Sequence, residues 1–388
     1  MPFSGRTFTN VSGATTAVAG DIVQSATWNN IHTDYGTALT QLMSQVVAQV
    51  SFKNVLAANG SADIWQRGAG SAASIAVASA ATAYTTDRWY LTNAASLASV
   101  VSATAALSNN SLLACKVLRN AGNTISAAQV FGYPLDTDEI QRMRGNKVTL
   151  TGLLKAGTNW SPTNGTLTVT LYTGTGSPGK RGGGFAGETS VLAIATNLTP
   201  AGAAVAISGT SSAVVPASAT NGELQFSWTP VGTAGADDSF TFDDMQLEND
   251  LSLDVWTPNQ YDRIPFETQL SLCQKHFNKT FPYGVAPAQT GGVSGGLAIR
   301  NGVFAGQIGL FWQYPVTMRA TASNISYNVS AANANWRDLT AAADIVASLD
   351  PSTTANEKGL LISMATATST AAGVNHIIII QAIADAGL

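Results

Sequence analysis

The run Thr166-Leu167-Thr168-Val169-Thr170-Leu171-Tyr172 limits the fold more than any other segment of this 388-residue chain. Leu167, Val169 and Leu171 fall on one face of an extended chain and the threonines on the other, which is the pattern of a half-buried antiparallel strand. Similar runs of β-branched and aromatic residues occur at Lys147–Leu154 and Gly222–Trp228. Clusters rich in Gly, Ser, Pro and Asn separate them: Ser161–Gly165, Thr173–Gly187 and Ser218–Gly222. From about Phe52 to about Trp256 no helical pattern intervenes. Many short strands punctuated by turns predict a β-sandwich of jelly-roll type.

Charged residues make up 11% of the chain, against about 25% in a typical soluble domain. Ala, Gly, Ser, Thr and Asn take their place, a surface suited to β-structure in repeated chain-to-chain contacts. Eight Trp and thirteen Phe need burial, which argues against disorder. Net charge is −4, and the densest basic stretch, Gln141–Lys147, is too short to neutralise a phosphate backbone, so no nucleic-acid partner is expected. Cys115 and Cys273 lack metal-ligand spacing and read as small buried hydrophobes. The first residues contain no apolar signal core, and the longest aliphatic run is Ile377–Ile380. Neither a secretory signal nor membrane insertion is expected.

Before the strands, Trp28, His32, Tyr35, Leu39, Leu42, Val46 and Gln49 recur at spacings of four and three, a heptad seam of about three repeats. Gly36 weakens it by about 1 kcal/mol. The segment is either a short oligomerising bundle or an amphipathic helix on its own domain. After the β region, Pro258–Pro265 reads as a linker and Phe266–Phe277 as a brief helix. Strands are expected beyond it at Gly302–Phe311, Pro315–Met318, Ile325–Val329, Gly359–Met364 and His376–Ile380. The expected organisation is a mainly β chain: residues 1–50 an N-terminal segment with a coiled-coil-like helix, 51–262 the jelly-roll sandwich, and 263–388 a second, smaller sandwich.

No catalytic arrangement assembles from the sequence. Asp136, Asp138, Glu139, Glu188, Glu223 and Glu267 offer carboxylates, but no pattern pairs two of them as glycoside hydrolysis requires. His32, His276 and His376 lie on apolar faces without a nucleophile elbow. Thr173–Lys180 starts like a phosphate loop but lacks its ending and a following helix, and reads as a flexible hairpin loop. Phe240 and Phe242 have the opposite parity to Met245 and Leu247, so the strand's register must switch at Asp243-Asp244, which predicts a bulge. Its carboxylates either face solvent or contribute to a structural Ca²⁺ site. Two motifs, Asn59–Gly68 and Tyr84–Tyr90, combine an aromatic with Arg and Asp. Trp65, Arg67, Arg88 and Trp89 could line a sugar platform; alternatively the tryptophans are core and the arginines pair with buried acids or carbonyls.

Asp63-Ile64-Trp65-Gln66-Arg67-Gly68, then Asp87-Arg88-Trp89, Phe242–Glu248 and Phe266–Phe277, taken in this order, resemble the pattern of bacteriophage tail-fibre and related virion proteins. Asp21–Ile31 is similar to the virion-attaching start of such fibres, and Tyr314–Ala320 to their distal module. The resemblance implies a middle domain like a carbohydrate-binding jelly roll, with an acid near Phe242–Leu247 in a structural calcium site. It also implies a homotrimer without enzymatic activity, made in the host cytoplasm and assembled into the virion through its N-terminus, that attaches to a host-surface glycan. The stalk is far shorter than in elongated fibres, so a neck, collar or head fibre of purely structural role fits as well. A depolymerase tailspike would show a long repetitive β-helix, which is not evident in the sequence.

Overall fold

The computed structural model describes residues 8–9, 16–17, 54–250, 261–301, 308–333, 335–345, 355–364 and 376–387. The chain divides into two compact units, Met1–Lys53 and Asn54–Leu388. In the first, β1 (Phe8–Thr9) pairs antiparallel with β2 (Thr16–Ala17). The heptad seam from Trp28 to Gln49 lies outside the described residues.

The second unit begins with twelve strands. They are β3 (Ser74–Val77), β4 (Thr82–Tyr84), β5 (Tyr90–Thr92), β6 (Ser99–Ala105), β7 (Leu113–Arg119), β8 (Gln129–Leu135), β9 (Lys147–Ala156), β10 (Thr166–Thr175), β11 (Ala186–Asn197), β12 (Val205–Thr210), β13 (Asn221–Trp228) and β14 (Asp238–Asp250). They form two six-stranded antiparallel sheets, in the orders β12-β9-β14-β7-β6-β3 and β11-β10-β13-β8-β5-β4. The chain passes repeatedly from one sheet to the other, which is how a sandwich closes around one core.

Side-chain alternation fills that core. Leu167, Val169 and Leu171 of β10 are fully buried, as the period-two pattern requires. Trp89, just before β5, sits at the centre: its ring lies 5.4 Å from Phe131 in its own sheet and 4.7 Å from Phe242 in the facing sheet. Phe226, Phe240, Trp160 and Trp228 extend the cluster. Rings at these separations add edge and offset contacts to the burial of large apolar area.

The sandwich also holds a helix that strand periodicity does not announce, α1 (Thr137–Met143). Asp136 opens it with a capping box, its backbone N–H donating to Glu139 Oε2 at 2.7 Å. Ile140 and Met143 anchor it in the core.

After β14 comes α2 (Phe266–Gln274), as the helical pattern predicts, and then β15 (Phe277–Lys279), β16 (Leu297–Asn301), β17 (Ile308–Gln313), β18 (Ser323–Tyr327), β19 (Trp336–Asp338), β20 (Ala343–Ile345), β21 (Gly359–Met364) and β22 (His376–Asp385). Pro315–Met318, expected as strand, is turn and loop. β22 is the spine of this part: β15 and β18 flank its C-terminal half, β16 and β19 its N-terminal half. β17 and β21 form a separate antiparallel ribbon. Trp312, Trp336, Leu360, Ile378 and Ile380 make a second core. Among the described residues no helix is long and apolar enough to cross a membrane.

Candidate functional site

On β10, β13, β8, β5 and β4 the residues of opposite parity to the core form the outer face of the second sheet. The pairing register sets Tyr172 beside Glu223, and Gln225 and Tyr90 on either side of Gly132. Glu223 has no exposed surface although it lies on this outer face. The Tyr90 hydroxyl lies 2.8 Å from both of its carboxylate oxygens, Gln225 Nε2 donates to Oε1 at 2.9 Å, and the backbone N–H of Arg181 donates to Oε2 at 2.8 Å. Burial pushes the Glu223 carboxyl up despite these donors. Burial and the adjacent Glu223 push the Tyr90 hydroxyl up as well.

Gly132 makes this arrangement possible. A Cβ there would lie 2.6 Å from Glu223 Oε1 and 2.8 Å from Tyr90 Cε1, closer than atoms pack. The β10–β11 loop then folds back over the face. Gly176 and Gly184 take φ of +113° and +117°, which suit glycine. The Arg181 guanidinium stands 3.9 Å from the Tyr172 ring centre and donates to both Glu188 oxygens, at 2.7 and 2.8 Å. Lys180 Nζ stands 4.4 Å from the Tyr84 ring centre and 5.5 Å from that of Tyr90. The loop read as a flexible hairpin is thus pinned to the sheet by Glu223. Glu223, Tyr90 and Gln225 are buried beneath the loop. The half-buried groups left at the surface are the Tyr172 and Tyr84 rings with Lys180, Arg181 and Glu188, which suit a hydroxyl-rich ring by apolar contact and hydrogen bonding.

The four residues offered as a sugar platform lie elsewhere. Trp65 and Trp89 have no exposed surface, so neither ring can stack a sugar in this fold. Their indole N–H groups donate to the carbonyls of Ala62 and Asn59, at 2.6 and 2.9 Å. The two motifs are knitted together. Asn59 Nδ2 donates to Thr86 Oγ1 and the Asp87 carbonyl, and Asp87 accepts from the Gln66 backbone N–H at 2.6 Å and from Gln66 Nε2 at 2.9 Å. Burial first, against the pull of Arg67, raises Asp87 to about 6. Arg88 donates to the Pro134 carbonyl and to Glu139, and also reaches Asp136 and His276. Arg67 pairs bidentately with Asp385 and lies 4.1 Å from the Phe277 ring centre. Both arginines line a small, partly open cavity, together with Tyr84, Asp87, His276, Phe277 and Gly387.

The bulge expected at Asp243-Asp244 is present: the pairing of β14 with β9 skips between Asp243 and Gln246, and Asp244 has φ of +50°. Asp243 Oδ2 accepts from Leu107 N–H and Ser111 Oγ, both at 2.7 Å, and Oδ1 from Asp244 N–H. Burial, and then the neighbouring Asp244, raise Asp243 to about 7. Asp244 Oδ2 accepts from Asn110, while its Oδ1 is buried without a hydrogen bond. Calcium takes six to eight oxygen ligands. Here N–H and O–H groups surround Asp243, and a donor hydrogen cannot ligate a cation. Among the described residues no group of three or more His, Cys, Asp or Glu could hold a metal. In this structure these residues form a hydrogen-bonded bulge.

The other titratable groups serve the packing. His276 lies between Arg88 and Asp136, and burial, then the Arg88 charge, lower it to about 4. His376 Nδ1 is 2.6 Å from Asp338 Oδ2. Among the described residues no hydroxyl or thiol hydrogen-bonds either ring. Asp138 and Glu267 occupy the first turns of α1 and α2, where carboxylates suit the helix dipole. Cys115 and Cys273 are buried free thiols.

No protein-family model matches the sequence, and no curated protein matches it significantly. Similar solved structures include the enzymatically active domain of tailspike protein 4 from bacteriophage CBA120, 13% identical over 42% of this chain and 19% of that one, with a TM-score of 0.28. A CBM4 module is 19% identical over 35% and 70% of the two chains, with a TM-score of 0.23. The CBM22-1 xylan-binding domain of Paenibacillus barcinonensis Xyn10C is 16% identical over 38% and 80%, with a TM-score of 0.27. At these scores the likenesses carry no argument, and the sandwich stands on this chain's own sheets.

For the bulge, two outcomes are expected. The melting midpoint in calcium should equal that in chelator; a calcium-dependent rise would mean that further oxygen ligands complete the site. Because Asp243 titrates near 7 when folded and near 4 when unfolded, the folded chain binds the extra proton between these values. Its contribution to stability therefore falls as pH rises through that window. Urea midpoints from about pH 4 to about pH 8 should shift in favour of Asp243→Asn relative to the native chain up to about pH 7, then run parallel. A constant difference across the window would contradict the raised value.

Proposed function

We propose that this chain is a non-enzymatic attachment protein that binds glycans on the outer face of its second sheet, within a jelly-roll sandwich of the carbohydrate-binding kind. The observation that carries this reading is the surface above buried Glu223, where half-buried Tyr172 and Tyr84 accompany Arg181 and Lys180 on one strand-built face. Half-buried rings present apolar area to the C–H side of a sugar, while Lys180 and Arg181 can donate to its oxygens. The motif order from Asp63 to Phe277 supports a virion setting: a tail fibre or spike, trimeric through the N-terminal seam, attached to the particle by its N-terminus and facing the host envelope. Glu188, Asp136 and Glu139 are engaged by arginines, and Glu223 by Tyr90, Gln225 and Arg181. This use of the acids supports retention of a bound glycan rather than its cleavage.

The test uses the full chain on an array of bacterial surface glycans, with reducing-end release assayed alongside. Tyr172→Ala should weaken binding to the glycan retained by the native chain by about tenfold or more, equivalent to ~1.4 kcal/mol, at an unchanged melting midpoint. No reducing ends should appear. Undiminished binding by the variant, or the absence of any retained glycan, would exclude this face as the binding site.

A further inference from the structure

The cations on the outer face are not equally neutralised. Asp385 holds Arg67 and Glu188 holds Arg181, each through two hydrogen bonds. The Nζ of Lys180 has neither a hydrogen bond nor an ion pair among the described residues, only the rings of Tyr84 and Tyr90. Burial lowers its pKa, against the attraction of Asp385 and Glu223, and Arg67 adds like-charge repulsion. An ammonium drawn partly out of water and facing a guanidinium is stabilised by an incoming anion.

Directly behind Tyr84 lies the cavity lined by Arg67 and Arg88. The Nε of each arginine is buried there without a hydrogen-bond acceptor. Guanidinium nitrogens can only donate, so the unmet requirement is for acceptor atoms. Asp87 also borders the cavity, but both of its oxygens accept from Gln66. Tyr84 connects the two features, with Lys180 4.4 Å and the Arg67 guanidinium 4.8 Å from its ring centre.

We infer that the glycan recognised on this face is acidic, its carboxylate meeting Lys180 Nζ beside Tyr84. The inference rests on the glycan-binding reading above and narrows it to a substrate class. A carboxylate supplies the acceptor that Lys180 lacks and exchanges its ring contacts for a charge-assisted hydrogen bond. Non-specific attraction would not mimic the effect, since the chain's net charge of −4 repels an acidic polymer.

Affinity electrophoresis of the full chain in gels holding matched polymers tests this directly. Polygalacturonate, alginate and hyaluronate are each compared with their methyl esters, which keep the backbone and remove the charge. The native chain should bind at least one acid form about tenfold or more tighter than its ester, and raising salt from about 0.02 M to about 0.3 M should weaken only the acid form. Lys180→Met keeps the apolar stem over the tyrosines and should shrink the gap to about threefold or less. Esters held as tightly as acids would overturn the acidic preference, and a gap that persists in Lys180→Met would overturn the contact with Lys180, in either case leaving glycan binding intact. Retention of neither form, with none on the wider array, would overturn both.

Discussion

A carboxylate with no exposed surface, on the side of a sheet that should face water, organises the outer face of the second sheet. Ionised and alone, Glu223 would be costly to bury. It is tolerated because a tyrosine hydroxyl, an amide and a backbone N–H converge on it. Each comes from a different place: Tyr90 from β5, Gln225 from its own strand, and Arg181 from the β10–β11 loop. The N–H from Arg181 fixes a glycine-rich loop that would otherwise gain little by lying on the sheet. Once fixed, that loop sets Arg181 over Tyr172 and Lys180 over Tyr84. The missing side chain at Gly132 is the steric condition for all of this.

Paired buried charges also join the sandwich to the C-terminal strands. Arg88 and Arg319 both reach Asp136, and His276 closes the group. Arg67 crosses from the Asn59–Gly68 segment to Asp385 at the end of β22. Removing one partner from such a buried group leaves an uncompensated charge, so the members constrain one another. Trp65 and Trp89 belong to this framework, with Asn59 and Asp87 tying their loops together beneath them.

The strands were legible because period-two burial leaves a direct mark: Leu167, Val169 and Leu171 could face only a core. The bulge was legible from the parity change between Phe242 and Met245. The α1 helix was not, because seven residues between two strands give too few turns for a helical period, although Asp136 and Glu139 carry a capping-box signature. The candidate face was hidden for another reason. Glu223 stood in the sequence as an unpaired acid, and its meaning depends on Gly132, Tyr90 and Arg181, which only the sheet order brings together. The aromatic–arginine motifs stood out instead, and residues that build a buried framework carry the same composition as residues that hold a sugar.

The central claim is that ligand is held on the outer face of the second sheet, between Tyr172 and Lys180. A crystal structure of the full chain soaked with an oligosaccharide from the polymer it retains tests this most directly. Density is expected along that face, within reach of the Tyr172 ring and the Lys180 ammonium. Density on the outer face of the first sheet or on the sheet around β22, with the surface near Glu223 bare, would contradict it.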